Sequence, residues 1–325
     1  MNDHGMSATD RWLLLVHQLP AKPAYMRVKI RRRLQAIGAV AVKNAVYALP
    51  VSDQAQEDFE WVLREIVEGG GEGMVCEARL IDGLSDQEVR AKFDAARDAD
   101  YEQIAKEARA LLKDLGNDET ADRLSEAKPQ IVRLRTRLAR VIDIDFFGAN
   151  GRETAEGLIS SLEARTAGNA APAVDAADAT FGELKGRTWV TRQGVQVDRI
   201  ASAWLIRRFI DPAATFKFVP GKGYRPRPGE LRFDMFQAEF THEGDRCTFE
   251  TLLARLDIRD PALKAIGEIV HDIDLKDAKF GREEAAGIAR LIAGIAMATA
   301  ADTERLARGA EVFEGLYEYF RTKRG

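Results

Sequence analysis

The run Thr188–Pro212, TWVTRQGVQVDRIASAWLIRRFIDP, constrains the fold more than any other stretch of the chain. Thr188–Arg192 has the β-branched and aromatic content of a strand, and Gly194 supplies a tight turn. A nearly all-apolar helix follows. Ile200, Ala203, Trp204, Leu205, Ile206, Phe209 and Ile210 cover most of its circumference, so the helix is expected to be buried. Asp198 stands where an N-cap belongs. The same segment nevertheless carries Arg192, Arg199, Arg207 and Arg208. A buried guanidinium needs a counter-charge, because an unpaired one is costly. Either Asp198, Asp211, Asp234 or Asp274 pairs with these arginines, or they line a pocket for a small oxyanion, whose tetrahedral oxygens match their forked donors.

At 325 residues the chain has room for two domains with a core each. Residues 166–180, TAGNAAPAVDAADAT, contain no large side chain and read as a linker. The expected division is therefore 11–165, a linker over 166–185, and 186–325. Residues 1–10 read as a disordered tail.

In the first half, a strand at Arg11–Leu19 and a helix at Tyr25–Ile37 precede a strand or strand pair at Ala39–Leu49. A helix at Glu57–Glu68 and a strand at Met74–Ile81 complete the pattern. That order predicts a ferredoxin-like α/β sandwich. Helices over Ser85–Leu115, Lys128–Ile142 and Gly151–Arg165 form a helical extension. The second half adds short strands at Thr215–Val219, Leu231–Met235 and Glu239–Thr241. Helices at Phe249–Leu256, Pro261–Lys276, Glu283–Met297 and Asp302–Thr322 make it a mostly helical α+β domain. The fold class predicted for the whole chain is α+β.

From Arg11 to Ser52 the chain has no acidic residue and eight basic ones. Arg27, Lys29, Arg31, Arg32 and Arg33 cluster on one helix. A solvated face normally mixes both signs, so this stretch points to a polyanion such as DNA, with the side chains on phosphates. The competing reading pairs them with Glu57, Asp58 or Glu60, or with a second copy of the chain.

His242 lies in QAEFTHEGDRCTFE, close to Glu239 and Cys247. His271 lies in GEIVHDIDLKD with Asp272 and Asp274, and Glu268, His271 and Asp274 follow a helical i, i+3, i+6 spacing. Imidazole and carboxylates within one helical turn form half of a site for a divalent metal ion. The other half would come from His242, Glu239 or Cys247, the last a redox candidate. Taken singly, each of these residues also fits an ordinary packing role. H-E-x-x-H, G-x-S-x-G and G-x-G-x-x-G are absent, so no catalytic residue can be assigned from motif.

The net charge of −4 excludes a uniformly basic nucleic-acid binder. Two distant cysteines, Cys76 and Cys247, give neither a disulfide framework nor a zinc ribbon. The longest charge-free apolar run, Leu291–Ala301, falls short of the roughly 20 residues of a spanning helix. A cytoplasmic protein without membrane contact is expected. The last two helices bury each other or hold a homodimer.

DRIASAWLIRRF and HEGDRCTFE, with DPALKAIGEIVHDIDLKDAKF, resemble the C-terminal domain of the ChrB chromate-resistance family. RWLLLVHQLPAKPAYMRVKIRRRLQAIGAVAVKNAVYALP resembles the family's N-terminal domain. The resemblance implies a cytoplasmic stress-response regulator linked to chromate efflux, its N-terminal half on promoter DNA. The layout of the first half is also similar to the ferredoxin-like part of phenylacetate-type repressors. Two functions are carried forward. One is a chromate-responsive transcriptional regulator with an oxyanion or metal sensor. The other is a metal-dependent enzyme of chromate or oxidative-stress detoxification built on His242 and His271.

Overall fold

The computed structural model describes residues 11–20, 24–116, 121–167, 184–220, 224–235, 238–299 and 301–322. The expected tail at 1–10 and most of the expected linker lie outside the described residues. The chain divides into two compact units, 1–101 with 137–150, and 102–136 with 151–325.

The first unit opens with β1 (Trp12–Gln18), α1 (Ala24–Ala36), β2 (Val40–Lys43), β3 (Val46–Pro50), α2 (Asp53–Glu68) and β4 (Glu72–Ala78). The expected strand pair is a tight hairpin, turning through Ala45 at φ 58°. The sheet order is β2-β3-β1-β4 with every neighbour antiparallel, which makes the βαββαβ arrangement of a ferredoxin-like sandwich. In α2, Ala55, Phe59, Val62 and Ile66 are buried at i, i+4, i+7 and i+11, one face of a helix. Ser52 caps α2 by accepting from Ala55 N. These side chains meet Leu13, Leu15, Ile30 and Leu34 in one core. Trp12 extends that core, stacking on Phe93 with ring centroids 5.7 Å apart.

Phe93 lies on α3 (Asp86–Leu115), which belongs to the first unit through Tyr101 and to the second thereafter. Likewise α4 (Ala121–Asp143) belongs to the first unit from Arg137. The second unit continues with α5 (Gly151–Thr166), β5 (Thr188–Arg192), α6 (Val197–Leu205), β6 (Thr215–Val219) and β7 (Glu230–Arg232). The helices α7 (Thr248–Arg255), α8 (Pro261–Asp274), α9 (Ala285–Ala298) and α10 (Asp302–Thr322) complete it. Its sheet is parallel, in the order β6-β5-β7, so β5 is central. The expected strand at Glu239–Thr241 is reduced to a single bridge between Phe233 and Phe240.

Every residue of α6 is buried, as its apolar circumference requires. The helix runs on as a π-helical turn, Ile206–Ile210, closed by Asp211 N donating to Ile206 O at 2.7 Å. The Asp211 carboxylate accepts from Gly186 N, Arg187 N and Trp189 Nε1, tying the helix end back to β5. On the opposite side α10 approaches so closely that a Cβ on Gly309 would lie 2.4 Å from Ile200 Cγ2. One local expectation is corrected. Gln196, not Asp198, is the N-cap of α6, because the helix starts at Val197 and leaves Asp198 inside its first turn.

Candidate functional site

The first turn of α6 places two charged side chains in the core of the second unit. Asp198 and Arg199 are 1% and 2% exposed. Both are satisfied by distant segments. Asp198 Oδ2 accepts from Thr248 N at 2.8 Å and Oδ1 from Phe249 N at 3.0 Å, so it caps α7 rather than its own helix. Ser202 Oγ adds a third donor at 3.2 Å. Arg199 Nε lies 3.0 Å from Asp234 Oδ2, and its Nη1 donates to Gly194 O. Asp234 sits at φ 45°, a strained conformation for a residue with a side chain, and Thr248 Oγ1 donates to its Oδ1.

His242 stands at the meeting point of these groups. Its Nε2 is 3.2 Å from Asp198 Oδ2, 3.3 Å from Asp274 Oδ2 and 3.5 Å from Asp234 Oδ1. Its Nδ1 faces Thr154 Oγ1 at 3.2 Å. The ring is buried, whereas 18% of the Asp274 side chain reaches solvent. Arg192, at the end of β5, pairs with Glu153 of α5 at 2.8 Å, both buried.

The electrostatics follow from burial and proximity. Burial alone would lower the pKa of His242, but hydrogen bonds to Asp198 and Asp234 and the charge of Asp274 raise it well above the usual value. Burial raises Asp274 to about 7, against the pull of His242 and with the push of Asp198 and Asp234. Asp234 is held low, since Arg199 and His242 outweigh its burial. Glu153 is raised by burial, which Arg192 and Arg199 only partly offset.

An imidazole nitrogen that faces three carboxylates shares either a proton or a cation with them. One donor atom each from Asp198, His242 and Asp274 lies within 4.8 Å of the others. Ligands about 2.1 Å from one small divalent ion and at right angles stand about 3 Å apart, so the observed spacings fit such an ion. Four carboxylates, Glu153, Asp198, Asp234 and Asp274, and two guanidiniums, Arg192 and Arg199, gather around the imidazole, so a divalent ion that displaced the shared protons would balance the charge.

The sequence-predicted residues are distributed as follows. His242 and Asp274 come together. His271 belongs to a different group, with Nδ1 at 2.6 Å from Glu250 and Nε2 at 3.3 Å from Asp277. Asp272 accepts from Phe280 N and Arg282 N in a loop. Glu239 is engaged by the backbone and guanidinium of Arg232. Cys247 is buried, and burial with Asp198 and Glu250 nearby pushes its thiol well up, which keeps it protonated. Arg192 and Arg199 border the cluster. Arg207 lies over the Phe216 ring, and Arg208 is exposed near Glu314. Sequence reasoning did not single out Glu153 or Thr154, and it read Asp198 and Asp234 only as a cap and a counter-ion.

On the first unit, Arg27, Lys29, Arg31, Arg32 and Arg33 are all exposed on α1. Lys29 and Arg33 approach Glu65 of α2, at 3.8 and 3.2 Å, rather than Glu57, Asp58 or Glu60. Among the described residues no helix is long and apolar enough to cross a membrane.

Comparison with known proteins agrees with this layout. The family model described as ChrB, C-terminal domain, matches residues 189–320, and that described as Protein ChrB, N-terminal, matches residues 27–179. Protein ChrB of Cupriavidus metallidurans is 31% identical over an alignment 342 positions long, covering 100% of this chain and 99% of the relative. No solved structure matches the chain. Two domain matches in the same order, and a relative aligned from end to end, make this chain a member of the ChrB family, which is linked to chromate resistance.

Proposed function

We propose that the chain is a chromate-responsive regulator of transcription that acts in the cytoplasm. Its first unit contacts promoter DNA through the basic face of α1, and its second unit holds an inorganic guest in the buried polar cluster. The observation that carries the reading is His242 Nε2 facing Asp198, Asp234 and Asp274 beside two buried arginines. The donor set of carboxylates with one imidazole suits a divalent ion such as manganese or iron. Once bound, that ion supplies a positive centre for a tetrahedral oxyanion. Arg192 and Arg199 stand beside it with donors of the matching geometry. Glu65 neutralises only part of the basic face of α1, which supports phosphate contact by Arg31 and Arg32.

The test is a mobility shift of the full chain on the promoter of its own operon, with and without chromate, paired with elemental analysis of protein purified without chelator. The expected result is stoichiometric metal and a chromate-dependent change in DNA binding. DNA binding that ignores chromate removes the regulator reading.

The rival reading is a metal-dependent enzyme of chromate or oxidative-stress detoxification. Asp274 favours it, being the carboxylate of the cluster most open to solvent, where a substrate can reach it. Turnover of chromate or superoxide by the metal-loaded chain, lost on Asp274→Asn, would establish it.

A further inference from the structure

Arg192 is already occupied. Its Nη2 donates to Glu153 Oε2 at 2.8 Å, with 4% and 2% of the two side chains exposed. Glu153 belongs to the first turn of α5. Its neighbour Thr154 meets His242 Nδ1 at 3.2 Å. Two consecutive residues of one helical turn therefore reach the two kinds of group that would receive a guest. One turn further on, Gly157 lets α5 lie against His242, since a Cβ there would come within 3.2 Å of that residue's Cβ and carbonyl oxygen.

The four carboxylates of the cluster are not held equally. Asp198 accepts from two backbone N–H groups and a hydroxyl. Asp234 is pinned by Arg199 and by Thr248 Oγ1. Asp274 lies at the solvent side. Glu153 is held through Oε2, while its Oε1 is buried with no hydrogen-bond partner among the described residues. Of the three buried carboxylates, Glu153, Asp198 and Asp234, Glu153 gives up the fewest hydrogen bonds on leaving its place.

We propose that Glu153 is a resident counter-ion in the oxyanion seat of Arg192, and that a tetrahedral dianion entering the cluster displaces it together with the first turn of α5. The proposal rests on the reading of the second unit as an oxyanion sensor. A dianion added to four carboxylates meets strong repulsion. Exchanging Glu153 for it removes one negative charge and gives the Arg192 fork a ligand of matching geometry. Because Thr154 shares the turn, its hydroxyl is withdrawn from His242 in the same step. The first turn of α5 then has two states, docked through Glu153 and Thr154, or released with the anion seated.

The experiment uses the full chain, wild type and Glu153→Gln, titrated calorimetrically with molybdate, a tetrahedral dianion that does not oxidise the protein. Removing the charge of the resident competitor is expected to tighten molybdate binding about tenfold or more, since the incoming dianion no longer displaces a carboxylate from Arg192. Amide exchange over residues 151–166 is expected to quicken when wild type is saturated with molybdate. In Glu153→Gln it is expected to be quick from the start. If wild type binds molybdate but Glu153→Gln binds it no more tightly, the counter-ion role is overturned and the sensor reading stands. Unchanged protection of 151–166 in saturated wild type overturns it as well, and needs no variant to fold. Binding by neither chain overturns the sensor reading and the displacement with it.

Discussion

Asp198 and Thr248 are joined at 2.8 Å by a bond in which a carboxylate near the start of one helix caps the start of another. The same oxygen lies 3.2 Å from His242 Nε2. One side chain thus anchors α7 and forms a wall of the candidate site. Asp198→Ala should leave the Thr248 and Phe249 N–H groups of α7 without their carboxylate acceptor and strand His242 among the remaining acids. Breaking a buried charged network by one partner costs about 3–5 kcal/mol. Denaturant unfolding should show a loss of that order, and metal content should fall in parallel.

His271 provides a pH dependence with a definite sign. Burial would lower its pKa, but Asp277 and Glu250 raise it from 6.5 to about 9. A raised folded value means that the protonated form is favoured in the folded state. The contribution is fully present below about pH 6.5 and is lost as pH rises through about 9. Thermal stability of wild type should decline across that window, and the decline should be smaller in His271→Gln, which keeps only the contribution of His242.

The basic face of α1 makes a salt-dependent prediction. Changing Arg31, Arg32 and Arg33 to Ala should weaken DNA binding across sequences instead of altering preference among them. For every phosphate that no longer meets an arginine, the slope of log affinity against log salt should become shallower by about 0.9. A mobility-shift series at several salt concentrations measures both effects.

Gly309 tests how tightly α10 seats on α6. An added Cβ would meet the Cγ2 of the buried Ile200 at 2.4 Å. Gly309→Ala should destabilise by about 1–3 kcal/mol through overpacking, despite the better helix propensity of alanine. A urea titration measures the loss, and Gly315→Ala on the same helix, where nothing lies within 4 Å, is the control that should not show it.

Much of the frame was legible because it rests on local signals. The strand at Thr188–Arg192, the turn at Gly194 and the burial of the following helix all follow from apolar content and one glycine. The ferredoxin-like order followed from alternating strand and helix patterns. The candidate site was legible only in part, for a physical reason. His242 and Asp274 stood out as an imidazole and an acid near apolar stripes, but their other partners come from segments far away in sequence. Asp198 looked like a cap because a carboxylate in a first turn usually is one, and here it caps a different helix. Asp234 takes its position through a positive φ that no neighbouring residue announces. His271 and Asp274 share a helix face in sequence, yet His271 is held by Glu250 and Asp277.

The reach of Glu153 and Thr154 also bears on how the molecule can be cut. A fragment started at the first strand of the parallel sheet would include Arg192 and His242 but omit the helix that pairs with one and touches the other. That fragment would lack the Glu153 carboxylate that pairs with Arg192 at 2.8 Å and the Thr154 hydroxyl that faces His242. Any truncated version meant to keep the buried cluster as the intact chain has it must therefore begin upstream of Gly151.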